Sequence, residues 1–207
     1  MRAATIIALA SFFLLPQWGN AQIDLGTFYQ LDGDKECKIE AHNEDSLDYV
    51  FIEMHLDDLS IVGIGVEKEK LDRVHDVFVE ASKKYAEWRK VAQENKVDEF
   101  DKVMKPFVRV NTFFAYANYP DDFYWKYNVE LHFRFDVHSD EHGNSKYLWT
   151  IETEGFTQDV DAPLSVGTMR LVFENQKEID EFLRLWSSKR IQRIYDKKDA
   201  TEDLFKD

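Results

Sequence analysis

Apolar and polar side chains alternate without interruption along residues 127–138, and this pattern predicts a strand over about 125–138. The apolar or aromatic side chains occupy the odd positions: Tyr127, Val129, Leu131, Phe133, Phe135 and Val137. The polar ones occupy the even positions: Asn128, Glu130, His132, Arg134, Asp136 and His138. Successive side chains of a strand point to opposite faces, so one face of this strand is expected to be buried and the other to meet solvent. The chain must therefore build a sheet that is covered on one side.

The following strand, at about 146–156, is predicted to form a hairpin with the first. Keeping the two apolar faces together pairs Phe135 with Trp149. The connection is then odd in length and centred on His142, and Gly143 takes the left-handed position of a three-residue loop with a G1 bulge.

A helix is predicted over about 67–95, because its apolar residues recur at alternating spacings of three and four. The stripe consists of Leu71, Val74, Phe78, Ala81, Tyr85, Trp88 and Ala92. Such a stripe fits either a coiled-coil partner surface or a helix laid across a sheet. We favour the helix laid across a sheet, because three heptads are the lower limit for a coiled coil.

The remaining patterns complete an α+β fold with an antiparallel sheet of about seven strands. A second helix is expected at about 176–195, capped by Asn175, with both helices packed on one face of the sheet. A short helical turn is expected at 98–104. The other strands are expected at 37–42, 48–56, 60–66, 107–117 and 165–174, with a weaker candidate at 25–31.

Residues 1–21 are typical of a cleavable signal peptide. Arg2 precedes a charge-free apolar run over 3–15, which is shorter than the roughly 20 residues that span a bilayer. Pro16 follows the run, and Gly19 and Ala21 place small residues before a cut after Ala21. We therefore expect a secreted or periplasmic protein without a membrane span after cleavage.

The mature part, 22–207, is expected to form a single domain with a frayed tail over 197–207. The whole chain has 26 Lys and Arg against 40 Asp and Glu, which gives a formal charge of −14. This acidic surplus argues against a nucleic-acid partner, because a phosphate backbone would be repelled. The lone Cys37 is expected to be a buried thiol.

The polar row of the predicted hairpin is a candidate for acid–base chemistry. Its register places His132 beside Glu152, with Glu130 and Glu154 close by. A histidine flanked by carboxylates can transfer protons if it lies in a cleft, which makes a hydrolase the alternative function. Ordinary charge pairing across a wet sheet face explains the same residues and is favoured, because no nucleophile motif accompanies them.

Metal and nucleotide motifs are weak. His138 and His142 lie near the predicted hairpin tip among acidic residues, but a solvated turn explains them better than a metal site. Gly63 and Gly65 lie between a strand and a helix, yet the nucleotide motif needs a third glycine where Lys68 stands. No cofactor is implied.

An aromatic segment over 116–127, expected to be a loop around Pro120, is the strongest candidate for binding. Tyr119, Phe123, Tyr124 and Trp125 are its expected contacts with an unknown protein or small ligand. The sequence thus favours an exported acidic domain that binds a partner without catalysis, and the hydrolase is the alternative.

Overall fold

The computed structural model describes residues 22–32, 34–43, 47–56, 61–105, 107–116, 119–158 and 164–203. The signal-peptide prediction, on 1–21, lies outside these residues. The strands are β1 (Gln22–Gln30), β2 (Lys35–Asn43), β3 (Leu47–Glu53), β4 (Ile61–Glu67), β5 (Phe100–Val103), β6 (Val108–Tyr116), β7 (Tyr119–Ser139), β8 (Ser145–Thr153), β9 (Phe156–Gln158), β10 (Leu164–Val166) and β11 (Arg170–Phe173). The helices are α1 (Leu71–Glu94), α2 (Gln176–Leu185) and α3 (Ser188–Asp203), and a 3₁₀ turn, Lys68–Lys70, precedes α1. The protein is therefore α+β, as predicted.

The main sheet has nine strands, and all their pairings are antiparallel. Its order is β1-β2-β3-β4-β6-β7-β8-β11, with β5 paired to β7, while β9 and β10 form a separate pair. The ends of this order approach each other, because the Leu31 N–H donates a hydrogen bond to the Val172 carbonyl (2.8 Å). The long strand β7 touches β5, β6 and β8, and so it organises the open face of the sheet.

The hairpin between β7 and β8 is confirmed in register and turn. Phe135 pairs with Trp149, as the matching of apolar faces predicts. The Gly143 N–H donates to the Asp140 carbonyl (2.9 Å), and Gly143 adopts φ 78°. These are the features of a three-residue loop with a G1 bulge.

The helices cover one face of the sheet, and the long α1 lies across it. Its predicted apolar stripe packs on strand side chains: the Phe78 ring meets the Phe133 ring edge to face (4.9 Å), and Tyr85 lies against Trp149. All four of these side chains are fully buried. The stripe is thus covered by the sheet and is not a coiled-coil surface. Cys37 is buried in the same core, as expected.

Two predicted elements differ in the structure. The helical turn expected at 98–104 is wrong, because Phe100–Val103 is strand β5, which pairs with β7. All four residues of β5 are exposed. Backbone pairing with β7 therefore forms this strand, and its sequence shows no alternation of buried and exposed positions.

The single helix expected at 176–195 is divided into α2 and α3. The break falls at Ser187, whose carbonyl accepts from the Arg190 and Ile191 N–H groups and so starts the second helix. Trp186, at the end of α2, is fully buried, which anchors the chain at the break. Helix α3 continues to Asp203, into the segment 197–207 for which a frayed tail is expected.

A β-bulge in β7 changes which side chains share the open face. The register between β6 and β7 shifts between Val110 and Thr112, so β7 holds one extra residue there. Asn128 lies at this point with φ 64°. An extra residue reverses the alternation of faces. The prediction that Tyr127 points into the core is therefore wrong, since its side chain is 65% exposed.

The aromatic segment 116–127 is also not the expected loop, because β7 begins at Tyr119. Tyr116 pairs with Tyr119 and Phe114 pairs with Tyr124, so four residues, 120–123, lie opposite a single residue of β6 and form a large bulge. Pro120 falls inside that bulge, where its missing N–H costs no ladder hydrogen bond.

Candidate functional site

Six rings meet on the sheet face that the helices leave open, and we call them the aromatic patch. Its members are His42, Tyr49, Phe51, Phe113, Trp125 and Tyr127. Trp125 is the centre of the patch, with ring centroids 5.7 Å from Phe51 and 5.8 Å from Tyr49. Tyr127 is the most exposed member, whereas Phe113 is buried.

Two glycines of β4 form the floor beneath these rings. A Cβ added at Gly65 would lie 2.9 Å from the Trp125 ring, and one at Gly63 would lie 2.6 Å from the Phe113 ring. Any larger residue would displace the rings. The Gly-x-Gly pair that fails as a nucleotide motif therefore has a packing role in the patch.

The polar rim of the patch is partly fixed by hydrogen bonds. The Asn111 side-chain amide donates to Glu67 (2.9 Å), which Lys70 also contacts (2.5 Å). Both partners hold the pKa of Glu67 below its usual value, with the Lys70 contribution the larger. Burial lowers the pKa of His42. Burial therefore disfavours the charged form of the His42 imidazole.

The four predicted contact residues do not share one environment. Trp125 lies in the aromatic patch, while Tyr124 stacks on Phe114 at 5.4 Å. The side chains of Tyr119 and Phe123 lie outside the described residues.

Three of the four predicted acid–base residues converge beyond the bulge on the same face. His132 Nε2 lies 3.6 Å from a Glu130 carboxylate oxygen and 3.4 Å from one of Glu154. Glu130 is also held by Arg109, whose Nη2 and Nε lie 2.5 and 3.1 Å from Glu130 Oε1. We call Glu130, His132 and Glu154 the Glu–His–Glu cluster.

The fourth residue, Glu152, belongs to a neighbouring groove with a volume of about 660 Å³. Glu152 accepts a hydrogen bond from Arg134 Nε (3.0 Å), and Arg134 also contacts Asp101. Asp136, in the same groove, accepts from the Thr150 hydroxyl (2.8 Å), while burial raises the pKa of Asp136. The groove therefore has an acidic surplus, because five carboxylates line it and only two arginines, Arg134 and Arg170, do so.

The predicted metal residues are not part of the Glu–His–Glu cluster. His138 lines the groove, and His142 is exposed in the hairpin turn, where its backbone N–H donates to Asp140. Within the described ranges, the Glu–His–Glu cluster is the only group of three or more potential ligands in which the ligand atoms lie within 4.8 Å of one another.

Sequence reasoning missed the part of the aromatic patch on β2 and β3. Tyr49 and Phe51 alternate with apolar residues, so the pattern predicts a strand that is buried on both faces. The signal that could have revealed the patch is the glycine pair of β4 next to a strand with aromatic residues on one face, because glycines mark a close approach by neighbouring groups.

No known protein family matches this chain, and comparisons with curated proteins and with solved structures found no match either. Among the described residues, no helix is both long and apolar enough to cross a membrane.

Proposed function

We propose that the protein is an exported, non-enzymatic binding domain that holds a neutral carbohydrate against the aromatic patch. The observation that carries this proposal is the grouping of Tyr49, Phe51, Trp125 and Tyr127 on the open sheet face. A sugar ring has C–H groups on its faces, which pack on aromatic rings, and hydroxyl groups on its edge, which need polar partners.

The composition of the patch favours this ligand over other classes. An acidic chain with a formal charge of −14 repels phosphate and other anionic ligands. A wholly apolar small molecule would need an enclosed pocket, whereas these rings lie on an open face. The rings also pack on one another and are mostly half-buried, unlike the protruding anchors that dominate protein interfaces. Tyr hydroxyls, Asn111 and Glu67 offer donors and acceptors beside the rings.

Gel electrophoresis through soluble neutral polysaccharides (β-glucan, xylan and mannan) tests the proposal, with the anionic alginate as a charge control. We expect at least one neutral polysaccharide to retard the protein and alginate to leave it unaffected. Tyr127→Ala should weaken the retardation at least tenfold. Phe107→Ala is the matched control, because Phe107 is also exposed (54%) but lies outside the patch.

Retention of Tyr127→Ala equal to that of the unchanged protein would refute the patch as the site. Failure of every neutral polysaccharide to bind would refute the proposal of a carbohydrate ligand. A protein would then be the expected partner of the aromatic patch.

Export is the part of the proposal that depends on residues 1–21. Arg2, the apolar run and the small residues before Gln22 support cleavage after Ala21. Expression of the complete chain in a secreting host should give a product that begins at Gln22, which mass spectrometry of the intact protein detects. A product that retains residues 1–21 would contradict the export proposal and leave the proposal of a binding site unaffected.

A further inference from the structure

We propose that the Glu–His–Glu cluster binds a divalent transition-metal ion of the size of zinc. The cluster joins β7 and the end of β8: Leu131, between the two β7 ligands, pairs with Thr153, which precedes Glu154. Three potential ligands are thereby brought together by the hairpin whose register the sequence specifies. The inference does not depend on the carbohydrate proposal.

The distances within the cluster fit ligands around an ion better than hydrogen bonds. His132 Nε2 lies 3.4 and 3.6 Å from the two carboxylate oxygens, beyond the 2.7–3.2 Å of a normal N–H···O bond. Ligand atoms at 2.0–2.1 Å from a tetrahedral zinc are about 3.3 Å apart. The two separations are close to that value, and the ligand atoms of all three residues lie within 4.8 Å of one another.

His132 Nε2 also lacks any other partner. This nitrogen is buried and forms no hydrogen bond. A buried polar atom without a partner costs about 1–3 kcal/mol, so such an atom is expected to have a partner in the working protein. A bound cation would satisfy the nitrogen through its lone pair.

The ligand chemistry selects the class of ion. Two carboxylates balance the charge of a divalent cation, and an imidazole favours zinc and its neighbours over magnesium or calcium. Arg109 holds the second oxygen of Glu130 and so fixes the orientation of that ligand, as outer partners do in metal sites. Three protein ligands leave a fourth position for water or a bound group.

Titration of the purified protein with Zn²⁺, in competition with a chromophoric chelator, tests the proposal. We expect one ion per protein molecule, because the described residues hold one such cluster. Glu154→Gln and His132→Ala should each weaken binding at least tenfold. The Glu154 side chain is 70% exposed, so Glu154→Gln leaves the fold intact even if His132→Ala does not.

His142→Ala is the matched control, because it removes an exposed histidine of the hairpin turn. Unchanged zinc binding in His142→Ala, together with loss in Glu154→Gln, supports the cluster. Zinc binding lost only in His142→Ala, or equal in all variants, would overturn the proposal, as would no zinc uptake. Mg²⁺ added in excess should not displace the zinc, and displacement would contradict the assignment of a transition metal.

Discussion

The Asn128 backbone N–H donates a hydrogen bond to the side-chain oxygen of Asn111 across the β6–β7 pair (3.4 Å). The amide nitrogen of Asn111 in turn donates to Glu67 at the end of β4. Asn111, on β6, thus links the bulge of β7 to the end of β4. The bulge brings Trp125 and Tyr127 to the face that also carries the Glu–His–Glu cluster, so both candidate sites depend on it.

Asn128 should tolerate glycine but not valine. Its φ of 64° lies in the left-handed region, where asparagine is accepted and a β-branched residue is strained by about 1–2 kcal/mol. Asn128→Val should therefore lower the free energy of unfolding in urea by about that amount. Asn128→Gly should leave it within about 1 kcal/mol. Residue 128 is exposed, so differences in side-chain packing contribute little to the comparison. Equal stability of the two variants would contradict a left-handed backbone at the bulge.

The two glycines under the aromatic patch should differ in their response to alanine. A Cβ at Gly63 would lie 2.3 Å from the Ile52 carbonyl oxygen, which is backbone and cannot move aside. Gly63→Ala should cost about 3 kcal/mol of unfolding free energy, in the upper range for overpacking. At Gly65 the nearest atom belongs to the Trp125 ring, so Gly65→Ala should cost less, about 1 kcal/mol.

Fluorescence distinguishes the two alanine variants independently of stability. Gly65→Ala should shift the tryptophan emission, because its Cβ displaces the Trp125 ring. Replacing both Gly65 and Trp125, as Gly65→Ala with Trp125→Ala, should recover part of the stability lost by the single glycine change. Absence of that coupling in a double-mutant cycle would show that the ring does not rest on Gly65.

The sequence allowed the β7–β8 hairpin to be predicted because each strand has one apolar face and Gly143 marks the turn. It could not reveal the bulge, since Tyr127 continues the apolar alternation that the extra residue reverses. Strand β5 was missed for a related reason, because its exposed residues form a strand only through backbone pairing with β7. The Glu–His–Glu cluster follows from the correctly predicted register. The aromatic patch joins strands that are far apart in the chain, and so no local sequence pattern predicts it.

Cys37 should be unreactive in the folded protein. Its side chain is fully buried, and burial raises the pKa of the thiol to about 12. The thiolate is the reactive form, so an aromatic disulfide reagent at pH 8 should label the folded chain only as fast as the chain opens. Adding denaturant should accelerate labelling in parallel with unfolding followed by circular dichroism. Rapid labelling without denaturant would show that the core around Cys37 is open to solvent.

Tyr85 should make the protein less stable in alkali. Its buried hydroxyl lies 2.9 Å from the Glu174 carbonyl and 3.0 Å from that of Tyr147, and burial raises the pKa of Tyr85 from 10.0 to about 12. Above pH 10 the unfolded chain loses this proton while the folded chain keeps it. The folded state then binds more protons, so the free energy of unfolding falls as pH rises from 10 towards 12, at up to about 1.4 kcal/mol per pH unit. The contribution is fully present below pH 10.

Tyr85→Phe separates this titration from that of the other groups. At pH 7 the variant should be about 1 kcal/mol less stable, because two partly buried carbonyls lose a shared donor. Above pH 10 its stability should fall less steeply than that of the unchanged protein, since phenylalanine has no proton to lose. The two urea-derived stabilities should therefore meet at about pH 11, and at pH 12 the unchanged protein should be the less stable of the two. Parallel curves over this range would mean that the Tyr85 hydroxyl ionises at the same pH in the folded and unfolded chains, contrary to its burial.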